Sequence, residues 1–361
     1  MQKIWLGRLV LVLFTVAVLT VTIETAINEF PIMETDRRSV PLAFTGDAYL
    51  QSKAVKTDSS FYTEDLRKYR VITNPLASGD ADATMKEYYI RDDTPQREVF
   101  AVAIGDSFTW GTKMDVEYGY PRLLENTAGQ DVVNFGVPGA GPIAESRILE
   151  TYALKLRPKV VIWQFMTNDM NDVVLFHSRE NVTPPFYNVR RFLAGNSNIY
   201  NLVKRAHATL VMGQDEEMPE ISVGGRRFLL ESRATIKRMN DHCNTPAGSE
   251  TKELIRDAKE ASESNGAKFV LLMIPSKAEV YLNETKSLTG LPENEITCVT
   301  AEMKEFASEN GIEYIDMVPV YRKAISEGSG VYLPLDGHLG VEGNNVTARA
   351  IYDFIVQNGY A

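Results

Sequence analysis

Five short apolar runs, rich in β-branched and aromatic residues, recur through the later part of the chain: VFAVAI (99–104), VVNF (132–135), VVIWQF (160–165), KFVLLMI (268–274) and IEYIDM (312–317). Most are continuous rather than alternating, the pattern of a strand buried on both faces. Between and after them apolar residues return every three or four positions, over 143–156, 251–265, 299–310 and 344–357, which is the period of amphipathic helices. Gly266 and Gly311 stand where two of these helices need C-terminal caps. Strands alternating with helices predict an α/β fold of three layers, α/β/α, on a mainly parallel five-stranded sheet.

Two regions break the rhythm. From 173 to 250 there is no clear buried strand, although Ile199, Leu202, Val203, Ala206 and Leu210 fall at helical spacing. This interval is read as a cap inserted over part of the sheet edge. At the other end, Lys3 and Arg8 precede an apolar run over 9–23, and counting from Ile4 with Arg8 snorkelling gives a single crossing. No small-residue cleavage site or lipobox cysteine follows. Residues 1–30 are therefore expected to be a transmembrane signal anchor, with the bulk of the chain extracytoplasmic, or secreted if the segment is cleaved. Residues 31–97 read as a stalk and N-terminal extension, and 98–361 as the globular domain.

Composition narrows the function. A net charge of −10 with no basic stripe argues against sequence-independent nucleic-acid binding. Four scattered histidines without metal-ligand spacing argue against a metal centre, and no cofactor motif is present. Two cysteines, Cys243 and Cys298, are too few for a disulfide framework. After export they can pair, or each can remain a buried thiol.

The chemistry gathers after the strands, where an open parallel sheet binds its ligands. GDS follows the first run, GVPGAG the second and MTND the third. Ser107 in the first cluster opens a helix; there it is either an N-cap or a nucleophile whose own N–H can steady an oxyanion. Gly136, Gly139 and Gly141 leave backbone amides unshielded, and Asn168 offers a side-chain donor at the same edge, although each also suits an ordinary turn. Near the C-terminus, LPLDGHLGVEGNN sets Asp336 two residues before His338. In an extended segment the two side chains point the same way, so the carboxylate can hold Nδ1–H and leave Nε2 free as a base. His177, His207 and His242 have no acidic neighbour at such spacing and read as ordinary polar histidines.

Taken together, GDSFTWG, NFGVPGAG, MTND and DGHLGVEGN resemble the four blocks of the SGNH (GDSL-type) esterase and acyltransferase superfamily. The resemblance covers about 99–357 outside the insertion and implies a flavodoxin-like arrangement of the sheet. It implies Ser107 as nucleophile, Asp336 and His338 as its partners, and an oxyanion hole of Ser107, Gly139 and Asn168, with no cofactor and no metal. One residue separates the acid from the histidine here, where many members have two. That shorter form is similar to some exported polysaccharide O-acetyltransferases, and MIPSKAEVY (273–281) looks like a segment of the alginate O-acetylation proteins. Three functions stay open: hydrolysis of an acyl ester, most simply an acetyl ester; acyl transfer to an exported polysaccharide; and an inactive carbohydrate-binding or scaffolding module. The expected partners are an acylated carbohydrate or other small ester and, through the anchor, the membrane. Oligomeric state is not legible.

Overall fold

The computed structural model describes residues 99–180, 218–223 and 226–360, together with Tyr200 and the backbones of Arg70–Thr73 and Glu87–Ile90. All but Tyr200 belong to one compact unit, Phe44–Asn181 with Glu216–Ala361. The other unit, Met1–Ala43 with Val182–Asp215, is otherwise outside the described residues. The expected anchor at 1–30 and the helix read around 199–210 fall there. Among the described residues no helix is long and apolar enough to cross a membrane.

Strands β1 (Arg70–Thr73) and β2 (Glu87–Ile90) form an antiparallel pair. The central sheet begins with β3 (Ala101–Gly105), β4 (Val132–Gly136) and β5 (Val160–Met166). A second antiparallel pair, β6 (Glu220–Val223) and β7 (Arg226–Leu229), intervenes before β8 (Lys268–Ile274) and β9 (Glu313–Asp316) return to the sheet. All five central strands run parallel in the order β4-β3-β5-β8-β9. Counted within the sheet this is 2-1-3-4-5, the flavodoxin-like order, with its topological switch beside β3.

The helices in chain order are α1 (Ser107–Trp110), α2 (Tyr120–Ala128), α3 (Pro142–Thr151) and α4 (Asp169–Glu180). Next come α5 (Arg233–Asn240), α6 (Pro246–Ser264), α7 (Lys277–Val280) and α8 (Leu282–Thr289). The series ends with α9 (Glu293–Ile296), α10 (Cys298–Glu309), α11 (Met317–Ser326) and α12 (Val341–Gln357). Alternation along each strand sorts the core into two layers. Val102, Ile104, Val161 and Trp163 face one way, packing with α3, α4, α6 and α10. Ala101, Ala103, Val160 and Ile162 face the other, with α2, α11 and α12. Burial on both faces explains why these strands are nearly uniform apolar runs.

Three details differ from the expected elements. The helix expected over 143–156 stops at Thr151 and continues as a 3-10 turn, Ala153–Leu156. The helix expected from 251 starts five residues earlier, because Thr245 caps it by accepting the Gly248 N–H and Pro246 occupies its first turn. The β6–β7 hairpin lies inside the interval read as having no clear buried strand. Cys243, between α5 and α6, is disulfide-bonded to Cys298 at the start of α10, with a Cα–Cα distance of 6.3 Å.

Candidate active site

The first three central strands start flush: Ala101 pairs with both Val132 and Val160. Their carboxyl ends therefore deliver the GDS, GVPGAG and MTND turns to one edge, at the topological switch. Gly105 ends β3, and a Cβ there would lie 2.4 Å from both Gln164 Oε1 and Thr109 Oγ1. The backbone turns tightly here because Gln164 reaches under it, accepting the Asp106 N–H at 3.2 Å and the Thr109 hydroxyl at 3.0 Å.

The N-cap of α1 is Asp106, not Ser107. Its Oδ1 accepts the Phe108 N–H at 2.9 Å, which relieves the serine of any capping duty. Ser107 is the first residue of the helix, half-buried, and its Oγ lies 2.9 Å from His338 Nε2. The Phe108 ring flanks the imidazole, with centroids 5.1 Å apart. Asp106 itself is buried, and that burial raises its carboxyl pKa above the ordinary value, against hydrogen bonds that lower it.

Asp336 and His338 sit in the loop between Tyr332 and Leu339, which form an isolated antiparallel bridge. The loop is not the extended segment expected from the Asp-x-His spacing. It is a tight turn in which Asp336 Oδ1 accepts the His338 backbone N–H at 2.9 Å and also bonds His338 Nδ1. The turn, not strand alternation, brings acid and imidazole together. Asp336 Oδ2 pairs with the half-exposed Lys113 ammonium. Burial works against the Asp336 charge, but the hydrogen bonds from His338 and Lys113 outweigh it and hold this carboxyl well below the usual range.

The two remaining turns meet the serine at the same edge. Asn134 Nδ2 donates to Thr109 O at 2.8 Å, while its Oδ1 accepts the Gly136 N–H at 2.9 Å, so β4 is stitched to α1. Gly139 is exposed at a φ of 76°, in the left-handed region that suits glycine, and no hydrogen bond among the described residues engages its N–H. Asn168 Nδ2 donates to Asp172 Oδ2 at 2.9 Å. An amide nitrogen carries two hydrogens, so one remains to serve the edge, and the bond to Asp172 fixes which way the amide faces. Gly141 allows this arrangement: a Cβ there would lie 2.6 Å from Asp172 Cβ. Gly139, Gly141, Ile143, Ala144, Asp172, Leu175 and Phe176 line a small cleft beside the turn.

Of the other histidines, His177 pairs with Glu250 at 2.8 Å on the surface, His242 lies 3.2 Å from Asn171 Oδ1, and His207 is outside the described residues. Sequence reasoning missed Lys113, Asn134, Gln164 and Asp172 as parts of the site. Asn134 and Asp172 carried a local signal, lying in or beside the glycine and asparagine blocks. Lys113 and Gln164 carried none, because their partners are remote in the chain.

A parallel α/β sheet with a Ser–His–Asp chain of hydrogen bonds at its carboxyl edge defines the class of protein: a serine-type hydrolase scaffold. Residues 103–346 match the family model of the GDSL-like lipase/acylhydrolase family. The chain belongs to this family of SGNH hydrolases and is an enzyme of the hydrolase class. Similar solved structures include a lipolytic protein of the G-D-S-L family from Desulfitobacterium hafniense DCB-2, at 16% identity over 71% of this chain and 99% of that one, TM-score 0.41. The acetyl xylan esterase AlAXEase is similar at 12% identity over 71% of this chain and 98% of that one, TM-score 0.39. The lipase/acylhydrolase from Enterococcus faecalis is similar at 15% identity over 72% and 96%, TM-score 0.38. No curated protein sequence matches the chain.

Proposed function

We propose that the protein hydrolyses an acyl ester, most simply an acetyl ester on a carbohydrate, through an acyl-serine intermediate. Ser107 Oγ attacks the ester carbonyl while His338 Nε2 takes its proton, and Asp336 fixes the imidazole tautomer and offsets the imidazolium charge. The tetrahedral oxyanion is held by the Ser107 and Gly139 N–H groups and the second hydrogen of Asn168 Nδ2. His338 returns the proton to the departing alcohol. Water, deprotonated by the same imidazole, then attacks the acyl-serine, releasing the carboxylic acid and restoring Ser107. The observation that carries this reading is the 2.9 Å contact between His338 Nε2 and Ser107 Oγ, with the other ring nitrogen committed to Asp336. An anchored domain on the extracytoplasmic side is part of the same proposal. The disulfide between Cys243 and Cys298 supports it, since such bonds persist in oxidising compartments.

The test is labelling by a fluorophosphonate probe together with hydrolysis of an acetyl ester. Ser107→Ala is expected to abolish labelling and to lower kcat by at least about 10³-fold. Equal labelling of Ser107→Ala, or a folded wild type that takes no label, would overturn the reading. Acyl transfer to a sugar hydroxyl uses the same groups. Adding an oligosaccharide acceptor separates the two reactions: free acetate as the sole product supports hydrolysis, and acetylated oligosaccharide replaces it with transfer.

A further inference from the structure

Lys277 is a lysine where lysines are rarely found. Only 1% of it is exposed, whereas lysine is almost never fully buried without compensation. The compensation is visible in its three donors, each aimed at a backbone carbonyl. Nζ lies 2.7 Å from Leu333 O, 3.3 Å from Pro334 O and 3.0 Å from Leu229 O. The first two carbonyls belong to the loop that carries Asp336 and His338, and the third to β7. Phe228 flanks the ammonium at 5.9 Å.

The contacts form a bracket around the loop. Leu333, whose carbonyl takes the shortest bond from Lys277, donates its own N–H to His338 O at 2.9 Å. One residue, Leu333, thus links the ammonium to the backbone of His338. Pro334 O also accepts the Leu229 N–H at 2.8 Å, and the Tyr332 hydroxyl donates to Pro275 O at 2.7 Å. Lys277 itself is held at the start of α7, where Ser276 and Glu279 form a reciprocal capping box. Its segment leaves the end of β8, so its position is referred to the central sheet, as is that of Ser107.

We propose that Lys277 is a positioning residue, whose buried ammonium gathers the Leu333, Pro334 and Leu229 carbonyls and thereby holds the Asp336–His338 loop at hydrogen-bonding distance from Ser107. The inference rests on the proposed esterase reading and deepens it. A merely structural lysine would support the fold without controlling the alignment of the imidazole. A positioning lysine controls kcat and carries its own protonation state into the rate.

That protonation state is readable. Desolvation pushes the Lys277 ammonium down to about 8, in spite of the opposing charges on Glu231 and Asp336 and with a smaller push from Lys113. Those three are the charged groups that face it: Glu231 from the segment after β7, Asp336 from the loop itself, and Lys113 from beyond α1. Losing a proton removes one of three donors from a site with three acceptors. The bracket therefore slackens as pH rises through about 8, and kcat falls with it.

The experiment measures kcat and KM for a soluble acetyl ester as a function of pH, using the full chain, with circular dichroism and thermal unfolding on each variant. Lys277→Met is expected to fold, to lose about 10²-fold in kcat with KM changed less than about twofold, and to lack the alkaline decline near pH 8. Lys277→Arg, which keeps its charge throughout, is expected to recover about tenfold of that loss and to move the decline to higher pH. Wild-type kcat in Lys277→Met overturns the proposal. So does a lowered melting temperature with an unchanged alkaline limb. If Lys277→Met does not fold, wild type and Lys277→Arg decide alone: coincident alkaline limbs overturn the proposal and separated limbs support it. Ser107→Ala, run in parallel, keeps the two readings apart. Its inactivity beside a fully active Lys277→Met removes only the role of Lys277, whereas activity in Ser107→Ala removes the site.

Discussion

Replacing Gly136 by alanine tests whether close contact between β4 and α1 sets the position of Ser107. A Cβ built at Gly136 lies 2.2 Å from Trp110 N, 2.6 Å from Thr109 C and 2.8 Å from Thr109 Cβ. Two of these atoms are backbone of α1, so no flexible side-chain end can swing aside. Reaching an ordinary contact of about 3.4 Å demands a displacement of about 1 Å, and overpacking of this kind costs about 1–3 kcal/mol. At about 2–4 °C of melting temperature per kcal/mol for a domain of this size, the melting temperature should fall by about 2–12 °C. The same displacement acts on function, because Ser107 opens the helix that must move. Its Oγ is 2.9 Å from His338 Nε2, and a misplacement of about 1 Å can cost about 10²-fold in rate. Gly119→Ala is the matched control: its φ is −70° and the nearest contact would be Val116 O at 3.6 Å. The assay pairs thermal unfolding with acetyl-ester kinetics on both variants. A Gly136→Ala protein with wild-type melting temperature and rate would refute the argument that this contact places α1. Lower stability with an unchanged kcat would refute only its link to Ser107.

Two further perturbations address what surrounds the site. Glu145 is fully buried; its Oε2 accepts the Trp163 Nε1–H at 2.7 Å, its Oε1 has no hydrogen-bond partner among the described residues, and burial, then the Asp106 and Asp172 charges, raise its pKa well above the usual range. A carboxyl raised on folding contributes stability below its unfolded value of about 4.3 that is lost as pH rises through its folded value. Glu145→Gln keeps the acceptor for Trp163 and removes the titration, so urea midpoints measured from about pH 5 to 9 should fall less steeply than those of wild type; parallel curves would count against this. The Cys243–Cys298 bond closes a separation of 55 residues, worth about 4 kcal/mol in the chain-entropy model. Cys243→Ser/Cys298→Ser should unfold at lower urea than the oxidised wild type and show no response to reductant, and equal midpoints for the two proteins would remove the bond's contribution.

The central strands were legible because the sheet is covered on both sides. Val102 and Ile104 pack into one layer while Ala101 and Ala103 pack into the other, so β3 is apolar at successive positions and the signal is nearly continuous. The β6–β7 hairpin has the opposite character. It is four residues on each side, with Ile221 and Phe228 buried opposite one another and Glu220, Ser222 and Arg227 exposed. One buried side chain per strand is too little alternation to read, although the intervening Gly224–Gly225 is a hairpin signal in its own right. The earlier start of α6 was also written locally, in Thr245 and Pro246, and weighs more than the apolar period that begins later.

The site divides along the same physical line. Asp336 and His338 are two residues apart, and a single turn sets their geometry, so the sequence carries both the residue types and their relation. The Ser107–His338 contact spans 231 residues, and motif spacing cannot supply the distance. What supplies it is the pair of frames that meet there: β3 and β4 fix α1 through Asn134 and Gly136, and β8 fixes the opposite loop through Pro275 and Lys277. Lys277 acts on carbonyl oxygens, which every residue possesses, so no partner type marks it in the chain. Its only sequence signal was to be a lysine in IPSK, directly after a buried strand, where a solvated side chain has the least room. A charged residue at such a position must either leave the sheet or find acceptors in whatever packs against the strand end. Here the acceptors belong to the acid–histidine loop, and alignment of the imidazole follows from how that charge is satisfied.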